Sequence, residues 1–183
     1  MKTEFCRAQA AVRRDHRTLV RAEAKIEIPE GNETVAAFYG ELIRAAMRWA
    51  EEVLGERAGR EYEAPGDDVW AKSRFQPYLL RLEGALHPVG ERHFVIVTDR
   101  VFSHGTERRT GRTAQVWDRD ENTVLPVREI LRRWLGKRSV PRLGFRPDGC
   151  YPTGRGSVLF FRDPRGDREG RTAEKYFGEL TKK

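Results

Sequence analysis

The sequence predicts an α+β fold: a two-layer, mostly antiparallel, twisted sheet with one long and one short helix packed on one face. Three observations predict it. Apolar residues alternate through several segments, the period-2 pattern of half-buried strands. The stretch from Val35 to Leu54 instead repeats its apolar residues every three or four positions, as a helix does when it buries one face. Finally, 183 residues with four Trp, nine Phe and five Tyr suffice for one domain with a sizeable core.

Taken in order, Val20, Ala22, Ala24, Ile26 and Ile28 alternate as a strand that Pro29-Glu30-Gly31-Asn32 ends. Asn32 is placed to cap the helix that follows, because its side-chain oxygen suits the unpaired amides of a first turn. In that helix Val35, Phe38, Tyr39, Leu42, Ile43, Ala46, Ala50, Val53 and Leu54 form one stripe, and Gly55 is a natural stop. Glu41, Arg44, Arg48, Glu51 and Glu52 lie opposite, without the cationic bias of a membrane-surface helix. Residues 56–73 read as a loop. Phe75–Leu86 and Arg92–Phe102 read as strands joined by a short turn, Arg112–Trp117 as a third, and Val127–Leu135 as a short helix closed by Gly136. Two more strands are expected around Arg146-Pro147-Asp148-Gly149, the last ending at Val158–Phe161. Residues 1–18 read as an N-terminal extension, 19–162 as the domain, and 163–183 as a basic tail of disorder-prone composition.

The net charge of +7 is uneven. Residues 1–131 hold 21 Lys and Arg against 22 Asp and Glu, whereas residues 132–183 hold 14 against 6. Arg132, Arg133, Lys137, Arg138, Arg142 and Arg146 begin the basic run and form a candidate anion-binding cluster, so nucleic-acid binding through phosphates is one reading. A solvated basic face is the other, favoured by an excess of Arg over Lys, 28 to 7, along the whole chain. No apolar run is long enough to span a bilayer, and Met1–Arg17 lacks the apolar centre of a secretion signal. A cytoplasmic location is expected for the chain as written, and an extracytoplasmic one if an upstream segment precedes it. Cys6 and Cys150 are expected to be reduced thiols, since neither has a C-x-x-C neighbour.

The most informative stretch runs Trp117-Asp118-Arg119-Asp120-Glu121-Asn122-Thr123-Val124-Leu125-Pro126-Val127-Arg128-Glu129-Ile130-Leu131. It resembles the RsiV-like family, in which a strand ends in Trp-Asp, turns tightly, and continues through alternating apolar residues into a short helix that opens with an acidic residue. Asn122 stands at the position of the turn glycine, a role Asn fills because it tolerates the left-handed conformation. Leu125 and Val127 are the alternating pair, and Glu129 opens the helix. Phe102-Ser103-His104-Gly105 is similar to the family's aromatic-to-His-Gly turn, without its Gly-Gly pair. The resemblance covers about residues 20–162; Arg162–Lys183 departs from the family's closing helix and strand.

The resemblance implies a sensor-type domain that binds a ligand, as in the extracytoplasmic part of a lysozyme-binding anti-sigma factor. The membrane helix and sigma-binding segment of such a factor are not found in this sequence, and its basic surface would repel a cationic partner. The expected partner is therefore a protein or an anionic glycan.

Sharper chemistry competes with this reading in three ways. Asp118, Asp120, Asn122 and Glu129 fall at positions 1, 3, 5 and 12 of a calcium loop, but Thr123 replaces the loop glycine and a strand precedes it. His87, His93 and His104 lie near predicted turns, where a structural His is commoner than a metal ligand. Ser103 and His104 are sequence neighbours, a spacing that rarely builds a nucleophile and its base. No catalytic residue, cofactor or metal site is expected.

Overall fold

Arg17–Pro29 (β2) is the strand that the alternation marks, and Thr3–Arg14 (β1) pairs with it antiparallel along its length. In the computed structural model, which describes residues 1–66, 68–153 and 157–162 and the backbone of 173–177, these strands meet at a two-residue turn. Asp15 and His16 both have positive φ there, 47° and 63°, the conformation that matches a hairpin's twist. Residues 1–18 thus supply an edge strand of the domain sheet rather than an extension. Every second residue of β1, from Cys6 to Val12, packs on the main core.

Asn32 accepts the Val35 N–H at 3.0 Å and starts the long helix, Glu33–Trp49 (α1). Val35, Tyr39, Ile43 and Met47 bury its inner face. Gly55 does not end it. A π turn, Ala50–Leu54, leads into Gly55–Glu63 (α2), and Gly55 has helical dihedrals. A Cβ there would come within 3.1 Å of Val12 Cγ2, so the glycine lets the helix approach β1. The expected loop at 56–73 therefore contains most of α2 and also Val69–Ser73 (α3), whose amides are capped by Asp68.

Tyr78–Val89 (β3) runs parallel to β2, the connection across the sheet being the long helix. His93–His104 (β4), Glu107–Asp118 (β5) and the short Thr123–Val124 (β6) follow antiparallel, giving one six-stranded sheet in sequence order. At Gly84 a Cβ would sit 2.6 Å from Ile26 Cγ2, so the β2–β3 pairing depends on that glycine.

Val127–Leu135 (α4) is the expected short helix, closed by Gly136 at φ 62°. Gly149–Pro152 (β7), Val158–Arg162 (β8) and Ala173–Phe177 (β9) make a second, three-stranded sheet. Among the described residues no strand lies between α4 and the Arg146–Gly149 turn, where one of the two expected strands would fall. Of the expected tail, 173–177 is β9 and the other residues lie outside the described ones.

The α+β class holds, with a curled and mostly antiparallel sheet, but the two helices do not share a face. Strand β4 explains why. Phe94 through Thr98 are buried consecutively, so both faces of this strand are covered. Phe94 and Ile96 join the core under α1, with Tyr39, Leu82 and Trp117. Val95 and Val97 join a second core on the other side, with Val116, Ile130, Leu131 and Phe160. α4 and the small sheet form a third layer there.

Candidate functional site

The residues singled out in the sequence fall at two ends of the β4–β5 hairpin. Trp117 and Asp118 end β5; both are buried. Asp118 Oδ1 accepts the backbone N–H groups of Asp120 and Glu121 at 3.0 and 3.2 Å and so holds the tight turn. Its Oδ2 accepts Arg92 Nε at 2.8 Å. Burial pushes the Asp118 carboxyl up, but Arg92 and the two amides outweigh it and hold it below the usual carboxylate range. Asn122 has φ 51°, the left-handed conformation expected of it, and accepts from the Asn32 side chain at 2.6 Å. The turn is thereby tied to the cap of α1.

Glu129 Oε1 accepts from Arg132 Nη2 at 2.9 Å and from both Nη2 and Nε of Arg133 at 2.9 and 3.0 Å. The four calcium-type positions are therefore spent on a turn, a helix cap and arginines. Among the described residues no group of three or more His, Cys, Asp or Glu is placed to hold a metal ion. Arg133 also reaches His93 Nε2 at 3.0 Å. A guanidinium only donates, so Nε2 accepts and the ring is neutral with its proton on Nδ1. Burial agrees, pushing His93 below the usual imidazole value against the pull of Asp118.

His104 and Gly105 lie at the other end. His104 stacks on Tyr78 with centroids 3.7 Å apart, and its Nε2 is 3.2 Å from Glu61 Oε2. Tyr78 donates to Glu61 Oε1 at 2.6 Å. Burial raises Glu61, while Tyr78, Arg57 and His104 outweigh it and keep the carboxylate ionised. Ser103 and His104 point to opposite faces of β4, as neighbours on a strand must. His87 and His93 sit on the face away from His104.

In the basic cluster, Arg132 and Arg133 are engaged by Glu129, and Arg138, Arg142 and Arg146 are exposed on the chain between α4 and β7. Cys6 and Cys150 are free thiols, and burial raises both.

What the sequence reading missed is a groove between the long helix and strands β4–β5. Two adjoining hollows of about 360 and 290 Å³ share Trp49, Leu80 and Arg100. The helix wall carries Leu42, Trp49, Val53 and Arg57. An α-helix drifts by about 40° every four residues, and the wider π turn after Trp49 offsets that drift, keeping Val53 and Arg57 on the groove side. Leu80, Leu82, Thr98 and Phe102 form the floor, and Gly111 and Thr113 the far side, where small residues leave the hollow open. Trp49 is 42% exposed and Val53 51%, both large apolar side chains facing the opening. Thr98 is buried, and its hydroxyl has no partner among the described residues. Arg100, directly across from Leu82 and Gly111 in the ladder, is exposed and likewise unpartnered among the described residues. The legible signal was Trp49, a large aromatic at the helical spacing of Leu42 and Val53 that the apolar stripe read from the sequence left out. A wider depression of about 760 Å³ at the start of α1 has a mixed, open rim including Lys2, Asn32 and Arg119.

A sheet covered by a long helix on one face and by a short helix and small sheet on the other defines the architectural class of this chain. Neither a family model nor a curated protein matches it. Among solved structures, a DUF3298 family member from Bacteroides fragilis matches over 97% of this chain and 90% of its own, with TM-score 0.56 and 9% identity. A DUF3298 family protein from Pseudomonas aeruginosa PAO1 covers 70% of this chain and 56% of its own, with TM-score 0.43 and 12% identity. The first likeness shows a shared fold with a domain of unknown function. No helix among the described residues is long and apolar enough to cross a membrane.

Proposed function

We propose that the protein is a non-catalytic binding domain, and that its ligand seat is the groove between the long helix and β4–β5. The observation that carries this reading is the pairing of exposed Trp49 and Val53 with a buried, unpartnered Thr98 hydroxyl in one hollow. Large apolar side chains bordering a concave surface favour ligand burial, and a few polar groups in it orient what binds. The sequence resemblance to RsiV-like sensor domains supports the same class of role. The titratable groups that invite chemistry, Asp118, Glu129 and Glu61, are each held by cationic or hydroxyl partners, which suits structural work better than proton transfer.

The test uses an immobilised array of random dodecapeptides probed with the wild-type chain, with Trp49→Ala and with Gly111→Leu, the last placing a side chain in the hollow. Peptides retained by wild type should be lost by both variants, at melting temperatures within a few degrees of wild type. Retention that neither variant changes contradicts the groove. The rival reading, phosphate binding by Arg138, Arg142 and Arg146, is separated by salt: generic DNA held through these residues would be released steeply as salt rises.

A further inference from the structure

We infer that the occupant of this groove is an acidic, apolar-faced peptide segment of a partner protein. The inference rests on the groove being the ligand seat, and it deepens that reading through the charge of the walls. Arg57 pairs with Glu61, and Arg109 with Glu107. Arg112 pairs with Asp99 across the ladder. Those cations are matched. Arg100 is the surplus, and it stands where the two hollows join.

An anion seated on Arg100 would have Trp49 and Leu80 beside it, so the complementary ligand carries a carboxylate flanked by apolar groups. Thr98 precedes Arg100 by two residues on the same face, which places their Cα atoms about 7 Å apart along the strand. An extended segment presents alternate residues at that same spacing. One polar group can therefore answer Thr98 while the carboxylate two residues away answers Arg100.

An open groove favours a peptide over a single aliphatic chain. A lone acyl chain needs walls on all sides to leave water, whereas an amphipathic segment buries one face and keeps the other wet. Charge complementarity also sets the direction of discrimination, because a like charge brought onto Arg100 is repelled.

The experiment measures fluorescence anisotropy of three labelled dodecapeptides that share their leucines and serines and differ only in carrying two glutamates, two glutamines or two lysines. Wild type should bind the glutamate peptide at least tenfold more tightly than the glutamine one, and the lysine peptide least. Arg100→Glu should reverse the order, and Trp49→Ala should weaken the glutamate peptide about tenfold. Both side chains are exposed, and unfolding curves check that the variants stay folded. Equal binding of the glutamate and glutamine peptides, still lost in Trp49→Ala, overturns the acidic class and leaves the groove standing. Absence of any Trp49-dependent binding overturns both. Saturable competition by decanoate at concentrations below those of the peptide overturns the peptide in favour of an aliphatic carboxylate.

Discussion

Asn122 is the residue where local conformation and long-range contact meet. It holds a left-handed φ of 51° and bonds the capping Asn32. Asn122→Ala should cost about 1–2 kcal/mol, since a Cβ-bearing residue without a local polar group is disfavoured there. Asn122→Gly should lie close to wild type, relieving the backbone while losing one exposed hydrogen bond. Urea unfolding of the two variants checks the order. The left-handed role was legible through the family resemblance, in which Asn122 stands at the position of the turn glycine. The neutral state of His93 was not legible: Arg133, forty residues away, supplies the proton donor that fixes it. Trp49 was legible as a large aromatic in line with Leu42 and Val53, but its groove was not, because the far side is built from Gly111 and Thr113 of a distant strand.

Elements were more legible than their placement. The long helix, its Asn32 cap and the short helix with its Gly136 stop are local events, decided by periodicity and capping. Where the short helix packs is decided by β4, and a run such as Phe94-Val95-Ile96-Val97 reads equally as one buried face or two. The close approach of the helix to β1 at Gly55 involves Val12, forty-three residues earlier, which no local pattern reveals. The same kind of close contact gives an element-scale prediction. Gly84→Val should destabilise the fold by about 1–3 kcal/mol, because its Cβ would overlap Ile26 in the parallel β2–β3 ladder and β2 cannot retreat from the core. The expected reading is a lowered urea midpoint with an unchanged slope. An unchanged midpoint would mean that the two strands are not held in this register.

At the scale of the whole molecule, the layer beyond β4 makes stability depend on pH. The folded state depresses both His93 and Asp118. A depressed His binds its proton more readily when unfolded, so stability is full above the ordinary imidazole value of 6.5 and falls as the pH drops below it. Asp118 acts in the same direction further into acid, its contribution being lost as pH falls below the ordinary value of 3.8. Melting temperature should be flat from pH 7 to 8 and decline on acidification. His93→Gln should remove the part of that decline near pH 6, while a wild-type protein that gains stability toward pH 5 would contradict the assignment.

We propose the groove between the long helix and β4–β5 as the ligand seat. Nuclear magnetic resonance mapping of the glutamate peptide on the ¹⁵N-labelled chain tests it most directly. With the peptide in the groove, shifts should concentrate at the Trp49 indole and at the amides of Thr98, Arg100 and Gly111. Shifts confined to Arg138, Arg142 and Arg146, with the Trp49 indole unmoved, would contradict it.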